Sequence, residues 1–270
     1  MYSDKLSIYG ERDILENTTA YVQEHLEGVA EDTTHFDLFV DKDKINIVKP
    51  LIENLSLKYK FDFKWSKIEH KNWQDNWKKY FTTIEVNNAF TVVSDWEQNK
   101  KVNSLFKIII YPGMAFGTGH HESTYMILDI LPDIIKPGDQ IIDVGTGSGI
   151  LLIASMKLGA SNGLGIEYDP ICKENFESNM KINNIGNEVE FKQISFSDKS
   201  NYSCDVLLAN LNKNLLLDFF KTAKVLPSKI VISGILYLDL EELLVKINQL
   251  NLKVKLLKKK NEWICMLLEK

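Results

Sequence analysis

The stretch "IIDVGTGSGILL", residues 141–152, decides the fold of this chain. A short apolar run of strand character leads into Gly145, Gly147 and Gly149, and a helical pattern follows at once. Glycine lets the backbone turn tightly and approach a ligand closely, and the first turn of a helix offers unpaired N–H groups. Glu167 ends the next predicted strand, where a carboxylate can accept hydrogen bonds from a ribose diol. This order of elements predicts a site for a nucleotide-like cofactor.

From Pro137 onward, the sequence alternates between apolar strand-like runs and helical runs. Such alternation predicts βαβ crossovers and a mostly parallel, doubly wound, Rossmann-like sheet. The last two strands have no helix between them and are expected to form an antiparallel hairpin. The run 258–260 of three lysines falls at the predicted hairpin turn, where charged side chains usually face water. The seven predicted strands are "DQIIDVG", "NGLGIEYD", "EVEFKQI", "CDVLLAN", "KIVISGIL", "LKVKLLKK" and "WICMLLEK".

Two classes of cofactor use a glycine loop of this kind. A dinucleotide fingerprint reads G-x-G-x-x-G, because the pyrophosphate requires the third glycine one turn later. Here the spacing is G-x-G-x-G, and Leu152 stands further into the helix where glycine or alanine would be expected. S-adenosyl-L-methionine has no phosphate, so the spacing favours it over NAD. The seven strands that end in a hairpin have the layout of the large methyltransferase class, which argues against a mere strand-to-helix turn followed by a chance acid.

The first ~110 residues have a different pattern, with strands and helices mixed and no glycine loop, which suggests a small α+β domain. Residues 16–31 read as an amphipathic helix, and residues 43–56 also have helical spacing. Strands are predicted at "HFDLFVD", "FDFKWSKIE", "FTVVSDW" and "FKIIIYP". Trp73, Trp77 and Phe81 share one helical face. That face predicts either a helix buried between two domains or an aromatic wall beside the substrate.

Composition limits the functional class of the protein. The 270 residues carry 32 basic and 37 acidic side chains, and a net charge of -5 argues against general nucleic-acid binding. The three cysteines, Cys172, Cys204 and Cys265, are too few and too far apart for a disulfide framework or zinc spacing. No secretory signal or run of about 20 apolar residues is present. We therefore expect a soluble, cytoplasmic, monomeric protein.

The neighbouring pair His120 and His121 raises the question of a metal site. Adjacent side chains do not converge on one face of a helix, and no cluster of acids or cysteines completes a ligand set. The pair is better interpreted as the N-terminal turn of a helix that packs near the cofactor. The sequence therefore predicts no metal.

Several motifs together resemble one family. They are "PGMAFGTGHHEST" (112–124), "DVGTGSGIL", "DVLLANL", "SGIL", "NEW" and the linker motif "DNWKKYF", spread from Asn72 to the C-terminus. With them the chain resembles the bacterial ribosomal protein L-eleven (L11) methyltransferases, the PrmA family. The resemblance implies a small ferredoxin-like domain at residues 1–65 that recognises the substrate. A linker helix and connecting strands would follow at 66–111, and an S-adenosylmethionine-dependent methyltransferase domain at 112–270.

The resemblance also implies roles for particular residues. Thr124, Gly145, Glu167 and Asn210 match family positions that contact S-adenosylmethionine, and Gly147 belongs to the same glycine loop. The stretch 112–124 would fold over the cofactor as a lid or rim. The implied substrate is ribosomal protein L11, methylated at lysine ε-amines, at the N-terminal α-amine, or at both.

Asn210 ends the fourth strand of the predicted sheet, at the carboxyl edge where open α/β sheets bind ligands. Methylation of an amine requires a deprotonated nitrogen held about 3 to 3.5 Å from the methyl group and in line with its bond to sulfur. An amide oxygen could aim that nitrogen, so Asn210 is the candidate catalytic residue; the alternative is a strand-end cap. Enzymes that methylate planar amino groups typically carry (D/N)-P-P-(Y/F) here. This chain has Asn210-Leu211-Asn212-Lys213, which favours an aliphatic amine.

Three alternatives remain open from the sequence. A related protein-lysine methyltransferase could act on a different protein target, because the N-terminal region is unusual for the family. An NAD-dependent oxidoreductase is disfavoured by the glycine spacing and by the lack of an evident hydride-transfer pair. A non-catalytic nucleotide-binding module is disfavoured by the intact Asn210 and the intact rim loop.

Overall fold

The structure is a computed structural model that describes residues 2–22, 25–31, 35–40, 42–69, 82–112 and 117–270. The predicted aromatic face of Trp73, Trp77 and Phe81 lies outside these residues, as do the linker motif and residues 113–116 of the rim loop. Within the described ranges, none of the helices combines the length and apolar character that a membrane span requires. The chain divides into two compact units, Met1–Phe81 and Thr82–Lys270.

The first unit contains a four-stranded antiparallel sheet and two helices. In chain order its elements are β1 (Tyr2–Tyr9), α1 (Arg12–Val22), β2 (Leu26–Glu31), β3 (His35–Val40), α2 (Ile45–Tyr59) and β4 (Asp62–Glu69). The strands lie in the order β2-β3-β1-β4, and every neighbouring pair is antiparallel. This βαββαβ connectivity is the one that ferredoxin-like domains have.

Alternation along β1 explains how this sheet acquires an apolar face. Leu6 and Ile8 are fully buried in the core of the unit. On the opposite face, Lys5 Nζ donates to Asp37 Oδ2 at 2.7 Å, and the Ser7 hydroxyl donates to Asp37 Oδ1. Because successive side chains of a strand point to opposite faces, one run of residues supplies both the core and a polar network on β3.

The predicted helix over residues 16–31 is wrong in its second half. The helix ends at Val22, and Leu26–Glu31 forms β2, which pairs with β3 along the edge of the sheet. Gly28 is a poor helix residue, and pairing with β3 supplies ladder hydrogen bonds that a lone helical turn lacks. Strand β1 has no counterpart among the predicted strands, whereas β3, α2 and β4 match their predictions.

The second unit begins with a three-stranded sheet, β5 (Ile84–Val86), β6 (Phe90–Ser94) and β7 (Phe106–Ile110), in that order. Strand β6 pairs antiparallel with β5 and parallel with β7. The following elements are α3 (Glu122–Ile134), β8 (Gln140–Val144), α4 (Ile150–Lys157), β9 (Asn162–Glu167), α5 (Ile171–Ile182), β10 (Val189–Gln193), β11 (Val206–Asn210), α6 (Lys213–Thr222), β12 (Lys229–Leu236), α7 (Leu240–Gln249), β13 (Lys253–Lys260) and β14 (Trp263–Glu269).

Strands β8 to β14 form one seven-stranded sheet in the order β10-β9-β8-β11-β12-β14-β13. Neighbouring strands from β10 to β12 are parallel, and β14 runs antiparallel to both β12 and β13. The predicted doubly wound sheet and its closing hairpin are therefore confirmed. Central strands such as β11 are buried on both faces, as parallel strands covered by helices are. The carboxyl ends of β8, β9 and β11 meet at one edge.

Two asparagines on α5, Asn175 and Asn179, and its C-cap Asn183 attach the small sheet to this body. Asn179 Oδ1 accepts from the N–H of Tyr111 at 2.7 Å, and its Nδ2 donates to the Ser148 carbonyl at 2.9 Å. Asn183 bonds both backbone groups of Ile109, at 3.0 and 2.6 Å. Asn175, one turn before Asn179, donates to the Tyr111 carbonyl. Because positions i, i+4 and i+8 share one helical face, these amides pair with the backbone of β7 and of the residue that follows it.

Candidate cofactor and active site

The glycine loop turns sharply after β8. The N–H of Gly145 donates to the Ile166 carbonyl at 2.8 Å, which places the loop across the end of β9. Gly145, Gly147 and Gly149 have φ angles of +74°, +50° and +80°. A Cβ on Gly149 would stand 2.5 Å from Met180 Cε and 2.8 Å from Phe176 Cδ2, so a side chain there would force both neighbours to move. The loop thus brings backbone N–H groups to the sheet edge, as the sequence predicts.

The Glu167 carboxylate lies at the end of β9, beside this loop. Its Oε2 accepts from the N–H of Gly147 at 3.2 Å, and its Oε1 accepts from the N–H groups of Tyr168 and Asp169 at 2.9 and 3.1 Å. Each carboxylate oxygen has about two lone-pair sites, so Oε2 can accept a further bond from a ligand hydroxyl. Two of the predicted site residues, Gly147 and Glu167, are therefore in direct contact.

Asn210 and Thr124 form a second pair. Asn210 Nδ2 donates to Thr124 Oγ1 at 3.1 Å, and Thr124 is buried in the first turn of α3. Asn210 Oδ1 is buried and accepts no hydrogen bond from the described part of the chain. The residue that caps α6 is Asn212, whose side chain accepts from the N–H of Leu215 at 3.0 Å. The amide oxygen of Asn210 therefore has an unfilled acceptor position within the described residues.

Asp143, two residues before the glycine loop, is completely buried. Its Oδ2 accepts from the Thr146 hydroxyl at 2.8 Å, and its Oδ1 has no partner among the described residues. Burial raises the pKa of Asp143 to about 7, the Thr146 hydrogen bond lowers it, and the charge of Glu167 raises it. With a pKa of about 7, this buried carboxyl is partly protonated near neutral pH.

The described part of the rim loop contacts the glycine loop and begins α3. The Ser148 hydroxyl donates to the Gly117 carbonyl. His121 Nδ1 accepts from the N–H of Ser123 at 3.2 Å and caps α3, so the prediction that the histidine pair begins a helix is confirmed. His120 Nε2 instead lies 3.0 Å from the Thr82 carbonyl oxygen. Within the described ranges, no group of three or more His, Cys, Asp or Glu side chains could hold a metal ion.

The hairpin turn between β13 and β14 holds the same end of α3. Asn261 Nδ2 donates to Glu122 Oε1 at 2.8 Å. The ring centroids of Trp263 and His121 are 4.5 Å apart, with the rings at 70° to each other. The short motif "NEW" therefore supports the helical turn that carries Thr124.

The expectation that the three lysines at 258–260 lie at the turn and simply face water is wrong. They are the last three residues of β13. Lys258 forms an ion pair with Asp129, and Lys260 Nζ lies 3.3 Å from the centroid of the Tyr125 ring. Both partners belong to α3, so charge attraction and cation–π attraction join the hairpin to that helix.

Gly234 is a structural determinant of the site that the sequence reasoning missed. It has a φ of +84° and lies where the register of β12 shifts between Ser233 and Ile235. A Cβ on Gly234 would stand 2.6 Å from the Leu211 carbonyl oxygen and 3.0 Å from Asn210 Oδ1. An isolated glycine inside a strand pattern is the available signal, because it marks a bulge or a close backbone approach.

Comparison with known proteins identifies the family. The profile described as "Ribosomal protein L11 methyltransferase (PrmA)" matches residues 3–270. The chain belongs to the PrmA family.

Named relatives agree with this membership. The ribosomal protein L11 methyltransferase of Anoxybacillus flavithermus is 36% identical over 187 residues, which cover 67% of this chain and 60% of the relative. That of Thermoanaerobacter pseudethanolicus is 32% identical over 249 residues, 90% of this chain and 78% of the relative. The match thus spans less than two thirds of the Anoxybacillus protein. The crystal structure of ribosomal protein L11 methylase from Lactobacillus delbrueckii subsp. bulgaricus aligns with a TM-score of 0.64 and 26% identity, covering 70% of this chain and 99% of that one.

Gly234→Ala tests the close approach beside Asn210 in this PrmA-family chain. Gly138 is the matched control, because its φ is +92° and nothing lies within 4 Å of where a Cβ would be. Gly138→Ala should lower the free energy of unfolding by about 1–2 kcal/mol through backbone strain alone. Gly234→Ala should cost about 1–3 kcal/mol more, because the new methyl group forces the backbone apart. Denaturant unfolding measures both; equal costs would contradict the crowding.

Asp143 predicts a pH dependence of stability. Its pKa rises from an ordinary 3.8 to about 7 on folding, so between these values the native state holds a proton that the unfolded state has lost. The free energy of unfolding should therefore fall as pH rises from 4 to 7, by up to about 1.4 kcal/mol per pH unit, and level off above 7. Subtracting the unfolding curve of Asp143→Asn isolates this contribution. Asp205→Asn, at an exposed position, is the control for loss of a carboxylate. A pH-independent difference between wild type and Asp143→Asn would refute the assignment.

Proposed function

We propose that this chain is an S-adenosylmethionine-dependent protein methyltransferase. It would N-methylate lysine ε-amines, the N-terminal α-amine, or both, on ribosomal protein L11. The observation that carries the proposal is the buried Oδ1 of Asn210, which has no hydrogen-bond partner among the described residues and lies at the carboxyl edge of the sheet, where open α/β sheets bind ligands. Membership of the PrmA family supports the choice of reaction and substrate.

The chemistry of the site fits S-adenosylmethionine better than a dinucleotide. The stretch 143–152 contains no lysine or arginine, and Asp143 and Glu167 add two carboxyl groups beside it. A pyrophosphate would bring negative charge to these groups, whereas S-adenosylmethionine carries a positive sulfonium and a positive amino group. Glu167, whose carboxylate accepts from the Gly147 N–H, would hold the ribose, and Thr124 and Gly145 would line the rest of the site. The bound cofactor supplies an activated methyl group.

Asn210 would orient the substrate amine. A deprotonated amine can donate a hydrogen bond to Asn210 Oδ1, which directs its lone pair toward the methyl group. The hydrogen bond between Asn210 Nδ2 and the Thr124 hydroxyl holds the amide group against the first turn of α3. Fixed placement of the attacking atom is the main contribution that a protein can make to such an in-line displacement.

We assign substrate recognition to residues 1–65 and the chemistry to the segment that begins near residue 112. The predicted site residues Thr124, Gly145, Gly147, Glu167 and Asn210 all lie in the second compact unit. The first unit is therefore available for recognition of the protein substrate. A ribosomal-protein substrate would place the enzyme in the cytoplasm.

The proposal is tested by incubating the purified chain with S-adenosylmethionine and recombinant ribosomal protein L11, and mapping methyl groups by mass spectrometry. We expect methylated lysines or a methylated N-terminus, and no reaction when NAD replaces S-adenosylmethionine. Methylation of another protein in a cell extract, with ribosomal protein L11 untouched, would assign the enzyme to a different target. Absence of all methyl transfer would overturn the proposal.

The cofactor assignment predicts the effect of Glu167→Ala on binding. Loss of a charge-assisted hydrogen bond to the ribose should weaken S-adenosylmethionine binding by about 10- to 100-fold in calorimetry. Gly147→Val should abolish binding, because a branched side chain would occupy the ligand's side of the loop. Glu190→Ala, which removes an exposed carboxylate from the neighbouring strand β10, should change nothing. Tight NAD binding, or normal affinity in Gly147→Val, would contradict the assignment.

The variant Asn210→Ala tests whether Asn210 orients the substrate amine or only stabilises the fold. If Asn210 Oδ1 aims the amine, kcat should fall about 100-fold while S-adenosylmethionine affinity changes little. Asn212→Ala is the matched control, because Asn212 is a genuine helix cap; it should lower stability by about 1 kcal/mol and leave kcat unchanged. Steady-state kinetics and denaturant unfolding distinguish the two. A normal kcat in stable Asn210→Ala would reduce the residue to a structural role.

A further inference from the structure

A cavity lies beside α5. It has a volume of about 420 Å³ and lies between α5, which lines it from Ile171 to Ile182, and the residues that follow β6 and β7. None of Thr124, Gly145, Gly147, Glu167 and Asn210 lines it. The lining side chains that bear on its chemistry are Asp95, Tyr111, Ile171, Glu174, Asn175 and Ser178.

Two buried acceptors in this lining have no partner. Asn175 is 6% exposed, and its Nδ2 donates to the Tyr111 carbonyl at 2.8 Å. That bond orients the amide, because the opposite assignment would place two acceptors against each other. Asn175 Oδ1 and Asp95 Oδ1 are both buried and accept no hydrogen bond within the described residues. Unpaired buried oxygens are rare, and here both belong to residues that line one cavity.

The remaining lining defines the chemical class of a ligand. Glu174 adds a second carboxylate, and none of the lining residues that the structure describes is a lysine or arginine, so the cavity suits a positively charged hydrogen-bond donor. Tyr111 is 49% exposed and Ile171 is 59% exposed, which gives the opening an apolar rim. A lysine or arginine side chain matches both features, because its cationic head donates hydrogen bonds and its aliphatic stem packs on apolar surface. The two carboxylates would repel a phosphate or carboxylate ligand. A bare metal ion would make no contact with the apolar rim.

We propose that this cavity binds a lysine or arginine side chain of the protein substrate, other than the residue that is methylated. That this side chain belongs to the protein substrate rests on the proposed function. Strand β7 ends at Ile110, and the rim loop follows Tyr111, while α5 begins four residues after Glu167. A basic residue held by Asp95, Asn175 and Glu174 would therefore anchor the substrate chain on the same unit that carries the chemistry.

Binding is tested first with amino-acid probes that do not depend on the proposed function. In NMR titrations of the full chain, N-acetyl-lysine methylamide and N-acetyl-arginine methylamide should cause saturable shifts of the Asn175 side-chain amide. Neutral N-acetyl-norleucine methylamide should not. The double variant Asp95→Asn/Glu174→Gln should lose the response, and Glu177→Gln, which removes a carboxylate from α5 outside the cavity, should retain it. Equal shifts with the neutral probe, or an intact response in the double variant, would overturn the proposal, as would binding of free spermidine without either amino-acid probe.

Kinetics then test the substrate role. With ribosomal protein L11 as substrate, the double variant should raise KM about tenfold, while kcat and S-adenosylmethionine affinity stay at wild-type values and Glu177→Gln behaves as wild type. An unchanged KM would overturn the substrate-anchoring role. If the wild-type chain methylates no ribosomal protein L11 yet binds the amino-acid probes as described, the binding site is supported and the proposed function is contradicted.

Discussion

The hydrogen bond from Asn210 to Thr124 is the interaction on which the arrangement of the site depends. It joins the end of the central strand β11 to the first turn of α3, two segments that are 86 residues apart in the chain. That helical turn is held in turn by the β13–β14 hairpin, through the ring of Trp263 and the amide of Asn261. Gly234 permits β12 to approach Asn210 at a distance that no side chain would allow. The last hairpin of the chain therefore influences the position of a residue in the middle of the sheet.

A polar connection has a comparable effect on the opposite side of the glycine loop. Asn179 and Asn183 bond the backbone of Tyr111 and Ile109, and Asn179 also bonds the carbonyl of Ser148 inside the glycine loop. Backbone groups beside a buried helix must find partners, and the amide side chain can donate and accept at once. The segment that leads into the rim loop is thus positioned by the same helix that follows Glu167. Changes in that helix should reach both the loop and the cavity beside it.

Elements that follow from local sequence patterns could be predicted from the sequence. Elements and contacts that depend on residues far apart in the chain could not. Strands β8 to β14 follow from apolar runs, turn residues and alternating helices, and the glycine loop with Glu167 follows from spacing. Local periodicity predicts helix for β2, because the conformation of this strand depends on pairing with β3, which local periodicity does not encode. The pairing of Thr124 with Asn210 was accessible only through family resemblance, since nothing local joins them. The lysines at 258–260 were read as solvated because their partners Asp129 and Tyr125 lie on a distant helix.

The unpaired oxygens of Asp143, Asn175 and Asn210 point to a common electrostatic character. Each is a buried acceptor without a donor in the described chain, and an unsatisfied buried oxygen lowers stability unless a ligand supplies the missing hydrogen. Two of them adjoin a site that suits a sulfonium cofactor and an amine, and the third belongs to a residue that lines a cavity suited to a basic side chain. A surplus of acceptors at both places selects positive or N–H-bearing ligands and disfavours phosphates and nucleic-acid backbones. The proposed cofactor, the proposed methyl-accepting amine and the proposed anchoring residue all meet this one constraint.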